Sequence, residues 1–436
     1  MSSAAASESL PLTTTSVDRY EEQLAAKLAS VRQCFSGVQF PDVQVVESER
    51  EHYRMRAEFA VWRDKEDLYY VMYDTATREG SVEPVRTRVR VDQFPVGSRL
   101  LNTLMAEVMA VARSDQELKH KLFQVNFHTT LSGEAMVTML YHRRLDTQWE
   151  AAAGALRGQL AACKGLEGAL TVAGRSRKQK ITLGPGHVTE GLHVAGRQLQ
   201  YRQLEGAFSQ PNAGVCQRML EWAHESTCGS QAGDLLELYC GNGNFTVVLA
   251  ENFRRVLATE VSKAAVAAAA ENLSANSVAN VAIARLTAEE LSAAWRGERT
   301  FERLRQAGVD LAAMDFTTIL VDPPRAGLDA ATEALLPHFA NVVYISCNPV
   351  TLEANLRPLL ATHRVRRFAV FDQFPYTHHI ECGAYLQRMA EVELPMAEMD
   401  ERERSTAAEG KEVNAMKDGE MVLEEMVGME ERRQDR

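Results

Sequence analysis

The sequence predicts an α/β protein in two parts: a carboxyl-terminal doubly wound, Rossmann-like domain and, before it, an α+β region. Three observations carry this. From Gly233 onward, short apolar runs alternate with helical patterns, the rhythm of a parallel sheet. Residues 50–204 carry alternating apolar and polar runs instead, as antiparallel strands with one wet face do. Leu235-Leu236-Glu237-Leu238 then leads into Tyr239-Cys240-Gly241-Asn242-Gly243-Asn244-Phe245, which reads as a strand, a glycine-rich turn and a helix start. The division expected is a disordered leader over 1–17, an α+β region over 18–204, the doubly wound domain over 205–389 and an acidic disordered tail over 390–436.

Taken in order, Tyr20, Leu24, Leu28 and Val31 give one apolar stripe to a helix over 19–35. Strands follow at 53–62, 68–73 and 86–91, then a helix at 99–113. Strands at 122–131 and 135–142 are joined by Ser-Gly-Glu, and a helix over 147–163 precedes a strand pair near 169–173 and 180–183. Residues 185–232 read as a bridge holding one helix, 213–227. The second part alternates strands at 234–239, 255–259, 281–286, 317–321, 342–345 and 364–371 with helices at 245–252, 263–276, 288–307, 330–339 and 351–360. A last strand at 383–388 gives the sheet an antiparallel end.

Composition excludes several classes. A hydrophobic content of 45% and a charged content of 25% are those of a globular chain. No apolar run approaches the ~20 residues that span a bilayer. Residues 1–17 contain no Lys or Arg, so they lack the basic start of a secretory signal and the arginines of a transit peptide. The seven cysteines stand singly, which argues against a disulfide framework, structural zinc or an iron–sulfur cluster and fits a reducing compartment. A cytoplasmic location is expected, with organellar targeting open. The net charge of −11 is concentrated at one end: residues 391–436 hold 15 acidic and 7 basic side chains, leaving the rest near −3. A nucleic-acid partner therefore needs only a local basic face. The acidic tail suits a protein partner, and a monomer is expected.

That local face has candidates. Arg54, Arg56, Arg86, Arg88, Arg90, Lys119, Lys121, Arg143, Arg144, Arg175, Arg177, Lys178 and Lys180 fall in the α+β region, with Tyr53, Phe123, Phe127 and Tyr141 among them as possible base-stacking rings. A solvated sheet surface explains the same residues equally well.

Four motifs carry chemistry. Glycines at 241 and 243 let backbone approach a ligand, and Glu260 ends the next strand 19 residues after Gly241, where an acid can hold ribose hydroxyls. A nicotinamide-dependent dehydrogenase fits this pair too. Asp322-Pro323-Pro324-Arg325 leaves the fourth strand with two prolines, which aim Asp322 into the crevice at the sheet's carboxyl edge. Arg325 supports either that loop or a phosphate. Ser346-Cys347-Asn348-Pro349 places a thiol at a strand's carboxyl end, where it is either a small hydrophobe or a nucleophile. His378-His379 lack metal-ligand spacing, but Glu381 precedes the last strand and can serve as a base beside Cys347.

With Tyr53-Arg54-Met55-Arg56-Ala57-Glu58-Phe59, Lys121-Leu122-Phe123-Gln124 and Phe208-Ser209-Gln210-Pro211-Asn212, these motifs resemble the RNA uracil-5-methyltransferase family. Within it, the likeness is to the bacterial members that make the T-loop ribothymidine of tRNA at position 54. The resemblance runs from about Tyr20 to Gln387. It implies S-adenosylmethionine as cofactor, contacted by Gln210, Tyr239, Asn244 and Glu260 around the Gly241 turn. It implies Asp322 between cofactor and uracil, Cys347 as nucleophile, Glu381 as base and Phe123 on the RNA surface beside Arg54, Arg56 and Lys121. The target base is expected to flip out of the T-arm. The amino-terminal barrel and cluster cysteines of many ribosomal-RNA relatives are missing, and three segments depart from the pattern: the leader, residues around Arg78–Val85, and the tail. Ribosomal RNA, transfer-messenger RNA and a role in RNA folding are the alternatives.

Overall fold

The computed structural model describes residues 17–65, 67–76 and 85–390. Nearly all of the expected leader, of the extra residues near Arg78–Val85 and of the acidic tail lies outside them. The helix Tyr20–Cys34 opens the described chain, but its buried stripe is Tyr20, Leu24, Lys27 and Val31, with a lysine where Leu28 was the apolar choice. The reason is a carboxylate: Lys27 Nζ lies 2.6 Å from Asp372, which is fully buried. The next element, β1 (Val43–Val46), is too short to read from alternation.

Six of the expected strands follow, as β2 (Arg56–Asp64), β3 (Asp67–Ala76), β4 (Val85–Val91), β5 (Leu122–Thr129), β6 (Ala135–Tyr141) and β7 (Leu170–Ser176), and β8 (Gln179–Leu183) completes them. They form one seven-stranded sheet in the order β4-β3-β2-β5-β6-β7-β8. All neighbours are antiparallel except β6 and β7, which the helix Thr147–Leu160 connects. Helices Arg99–Ser114 and Thr147–Leu160 bury Ala57, Phe59, Val61, Val125, Phe127 and Val137 on one face. The other face follows from register. Arg56 pairs with His128 and Glu58 with Asn126 across β2 and β5, and Arg175 pairs with Lys180 across β7 and β8.

β9 (His187–Val194) and β10 (Arg197–Leu204) form a hairpin inside the segment that reads as a bridge. Its turn is Ala195-Gly196, both with positive φ, and an alanine there hides a turn usually marked by asparagine.

The second sheet contains β11 (Asp234–Leu238), β12 (Val256–Thr259), β13 (Val281–Ala284), β14 (Phe316–Val321), β15 (Asn341–Ser346), β16 (His363–Phe371) and β17 (Glu381–Arg388). Its order is β1-β16-β17-β15-β14-β11-β12-β13. Only β17 is antiparallel to its neighbours, and it lies between β15 and β16 rather than at the margin. Cys382, Ala384 and Leu386 are fully buried, so both of its edges and faces need cover. The margin is β1, which comes from the amino-terminal region. The expected 18–204 region therefore contributes a strand to the second sheet, and a helix that packs on both, through Tyr20 and Leu24 on the first core and Val31 on the second. Two expected helices are also divided: 288–307 breaks at Gly297 (φ +72), and 330–339 becomes Ala330–Glu333 plus a 3-10 turn holding Pro337. Among the described residues no helix is long and apolar enough to cross a membrane.

Candidate active site

Strand order reverses between β11 and β14, and the crevice outside their carboxyl ends is where ligands bind in such sheets. Four residues stand there, each the first beyond its strand: Tyr239 after β11, Glu260 after β12, Asp322 after β14 and Cys347 after β15. Register makes the first three level, because Leu238 pairs with both Thr259 and Val321. Glu381, the first residue of antiparallel β17, meets them from the opposite direction. β15 and β17 pair Ile345 with Gly383 and Ser346 with Cys382, so one further step sets Cys347 opposite Glu381. Directly opposed residues share a face, with Cβ atoms about 5 Å apart.

A cavity of about 760 Å³ lies over this edge. Gln210, Tyr239, Gly241, Asn244, Glu260, Asp322, Cys347 and Glu381 all line it, so the eight residues expected for cofactor and chemistry converge. On the nucleoside side, Gly241 has φ +56 and open space where a Cβ would stand. Its N–H donates to Glu260 Oε2 (3.1 Å), and Ser262 N–H donates to Oε1 (2.8 Å), which fixes the carboxylate and leaves further lone pairs. Gln210 Oε1 accepts from Gln373 Nε2 (2.7 Å), leaving its own amide hydrogens for a ligand. Asn244 exchanges weak hydrogen bonds with the buried Cys216 thiol. A fixed acid, a glycine turn without side chains and free amide donors fit a nucleoside cofactor such as S-adenosylmethionine.

On the reacting side the electrostatics are those of a dry, acid-rich cleft. Burial pushes Asp322 up to about 7. Burial and then the Asp322 charge push Glu381 up to about 8, against the pull of Arg325. Burial, Glu381 and Asp322 together raise the Cys347 thiol, and Arg325 again opposes them. Neither carboxyl has a hydrogen-bond partner among the described residues. Cys347 also precedes the helix Pro349–Leu359, whose cap is Asn348, and a helix N-terminus favours an anion by about 0.3–1 kcal/mol.

Arg325 donates to His379 Nδ1, and Asn348 Nδ2 donates to the Arg325 carbonyl (2.9 Å). Between a loop role and a phosphate role, these contacts support the loop. Burial and the neighbouring cations hold His379 down to about 4, consistent with a neutral acceptor. The described residues contain no group of three or more side chains able to hold a metal ion.

The RNA-surface candidates divide. Arg54 and Arg56 line a second cavity of about 540 Å³, walled like the first by residues Glu205 to Ser209. Arg56 Nη1 donates to the Ala207 carbonyl (2.7 Å) and Ser209 Oγ (3.2 Å). Phe123 stacks on His142 with ring centroids 3.9 Å apart, in a third cleft. Lys121 is exposed and lines none of the three. Tyr53, Phe127 and Tyr141 are core residues rather than exposed stacking rings: strand alternation points Phe127 and Tyr141 inward, and Tyr53 is buried just before β2.

Sequence reasoning missed Glu190 and Cys216, which line the first cavity, and the fastening of the loop before Glu381. Lys27 Nζ donates to Asp372 and to the Phe374 carbonyl (2.8 Å), and Tyr53 OH donates to the Pro375 carbonyl (3.1 Å). Asp372-Gln373 just after a strand was the available signal, since two polar residues there are fully buried.

Comparison with known proteins gives one direction. The family described as tRNA (Uracil-5-)-methyltransferase matches residues 19–389. A tRNA/tmRNA (uracil-C(5))-methyltransferase of Aeromonas hydrophila is 51% identical over 371 residues, 85% of this chain and 95% of that protein. One from Neisseria meningitidis is 49% identical over 372 residues, 85% and 97% of the two chains. The crystal structure of Pyrococcus abyssi tRNA (uracil-54, C5)-methyltransferase in complex with S-adenosyl-L-homocysteine superposes with a TM-score of 0.60. At 19% identity over 84% of this chain and 83% of that one, it speaks for the fold.

Proposed function

The chain belongs to the tRNA (uracil-5-)-methyltransferase family, and from that premise we propose that it methylates C5 of the T-loop uridine at position 54 of tRNA through a covalent Cys347 adduct. The observation that carries the residue roles is the register placing Cys347 opposite Glu381 on the cavity that also holds Asp322.

C5 of uracil is a weak nucleophile. The Cys347 thiolate adds to C6, forming a C–S bond and moving the ring electrons into an enolate, which makes C5 nucleophilic. S-adenosylmethionine, when bound, supplies a methyl group on a positively charged sulfur. Gln210, Tyr239, Asn244 and Glu260 would hold it, with Asp322 between it and the base. Once C5 carries the methyl, Glu381 takes the C5 proton, the C6–S bond breaks and the thiolate is regenerated. The raised pKa values of Asp322, Glu381 and Cys347 have a use here. Burial holds the protons on in the cleft, with the Asp322 charge adding at Glu381 and the charges of both carboxylates adding at Cys347, and a cation bound beside them lowers all three. Asp322, without a protein partner, is left to hydrogen-bond the uracil edge.

Arg54, Arg56 and Phe123 are assigned to the RNA. The names of the relatives also favour transfer-messenger RNA as a second substrate. Seven scattered free cysteines support a reducing compartment, and we place the protein in the cytoplasm.

The test uses two variants. Cys347→Ala is expected to abolish both methyl transfer to T-arm RNA and the denaturant-stable protein–RNA adduct. Glu381→Gln is expected to form the adduct and release it slowly, so that it accumulates on a denaturing gel. Turnover by Cys347→Ala would refute the mechanism.

A further inference from the structure

The third cleft, about 1080 Å³, shares no lining residue with the two cavities near the reacting edge. It lies at the β7–β8 margin of the first sheet. Six cations line it, Arg143, Arg144, Arg175, Arg177, Lys178 and Lys180, and no acidic residue does. Three have carboxylate partners: Arg143 with Glu117, and Arg175 and Lys180 with Glu205, which lines the other two cavities. Arg144, Arg177 and Lys178 are exposed and have no carboxylate partner among the described residues. The last two form the tip of the β7–β8 hairpin, between the paired residues Ser176 and Gln179. Lys178 has φ +61, a conformation that is strained for a residue with a Cβ and suits Gly or Asn better. The hairpin thus keeps a cation at a position where backbone geometry favours another residue.

We propose that this cleft holds the phosphate backbone of the substrate RNA outside the loop that carries the target uridine, with Arg144, Arg177 and Lys178 as its phosphate contacts. The inference rests on the chain acting on RNA. Three considerations lead to it. A cleft lined by six cations and no acid, three of the cations without a carboxylate partner among the described residues, is complementary to a polyanion and to few other ligands. The cavity holding Arg54 and Arg56 shares a wall with the reacting cavity, so it takes the target's immediate neighbours. Arg175 and Lys180 reach Glu205 at the wall of the other two cavities, while Arg177 and Lys178 lie beyond that pair at the hairpin tip. β8 stands four strand spacings from β2, about 19 Å, so the cleft continues from that wall away from the reacting edge.

The experiment compares the full-length chain with its Arg144→Gln/Arg177→Gln/Lys178→Asn variant. Asparagine tolerates the positive φ, so the hairpin turn is retained. Binding to full-length tRNA and to an isolated T-arm hairpin is measured by filter retention across a salt series. Full-length tRNA is expected to bind about tenfold more weakly, with the salt slope reduced by about 3, one for each lost phosphate contact. The hairpin is expected to bind within about twofold of the parent, the usual size of a non-contact effect. If both RNAs bind as they do to the parent, the cleft is not an RNA site. If both weaken equally, the cleft serves the target loop itself, and the proposal is overturned. Methyl transfer to the hairpin by the parent chain checks the underlying function separately: its absence would sink that reading without bearing on where the RNA lies.

Discussion

A single carboxyl group shows how the site is tuned. Glu381 is an ordinary acid in sequence, and in the fold its side chain is buried with Asp322 as its charged neighbour. Its folded-state acidity lies near 8, above the normal carboxylate value of 4.5, so the folded state retains a proton that the unfolded chain loses. Stability is therefore whole at low pH and falls as pH rises through that window. Asp322, raised to about 7, adds in the same direction, as do Glu190 and Glu237, each raised to about 8. Glu381→Gln removes one contribution. Its ligand-free melting temperature should fall less than the parent's between pH 5 and pH 9, by roughly 2–4 °C. Equal falls in the two proteins, measured by calorimetry, would show that Glu381 is not held protonated.

Elements explain why such a residue can be placed. The segment from Asp372 to Ile380 is irregular, yet it must deliver Glu381 to within reach of Cys347. Asp372 is fully buried and takes Lys27 Nζ at 2.6 Å and Gln23 Nε2 at 3.0 Å, both from the first helix. Tyr376 OH donates to the Arg50 carbonyl, and Gln373 reaches Gln210. The loop is thus tied to elements more than three hundred residues away. Removing one partner of a buried ion pair leaves the other unsolvated and costs about 3–5 kcal/mol. Lys27→Met should lose about that much in denaturant unfolding. Lys27→Met/Asp372→Leu should recover part of it, since no lone charge remains. A Lys27→Met protein as stable as the parent would mean that Asp372 is reached by water.

At the scale of the molecule, the two sheets do not divide where composition does. β1 precedes the first sheet in sequence but completes the second, and the helix Tyr20–Cys34 spans both cores, with Tyr20 and Leu24 in the first and Val31 in the second, where Phe35 follows it. A fragment of residues 205–389 follows the expected boundary but lacks the partner of Asp372 and the marginal strand on β16. It should fail to give a cooperative thermal transition or to bind S-adenosylhomocysteine. A chain starting at residue 17 should do both. A folded, binding-competent fragment would restore the simpler division.

Much of this was legible in the chain. Strands of the second sheet are buried on both faces and read as apolar runs, and the residues that end them are polar or proline-flanked and stand out by contrast. Glu260, Asp322 and Cys347 are legible for that reason, because local sequence decides where a strand stops, whereas Tyr239 follows from the family likeness. The β9–β10 hairpin was hidden by a turn of Ala195-Gly196, and β1 by being four residues long. The inward pointing of Phe127 and Tyr141 depends on which face the helices cover, and alternation alone does not say which face that is. Local sequence carries the fold class and the family likeness, together with the polar residues that end the strands of the second sheet. Tertiary structure alone decided that Cys347 stands opposite Glu381, that Lys27 secures the loop between them, and that six cations form one acid-free cleft. Each of these is a pairing between distant segments, set by strand register and burial, and neither is a property of any one stretch of chain.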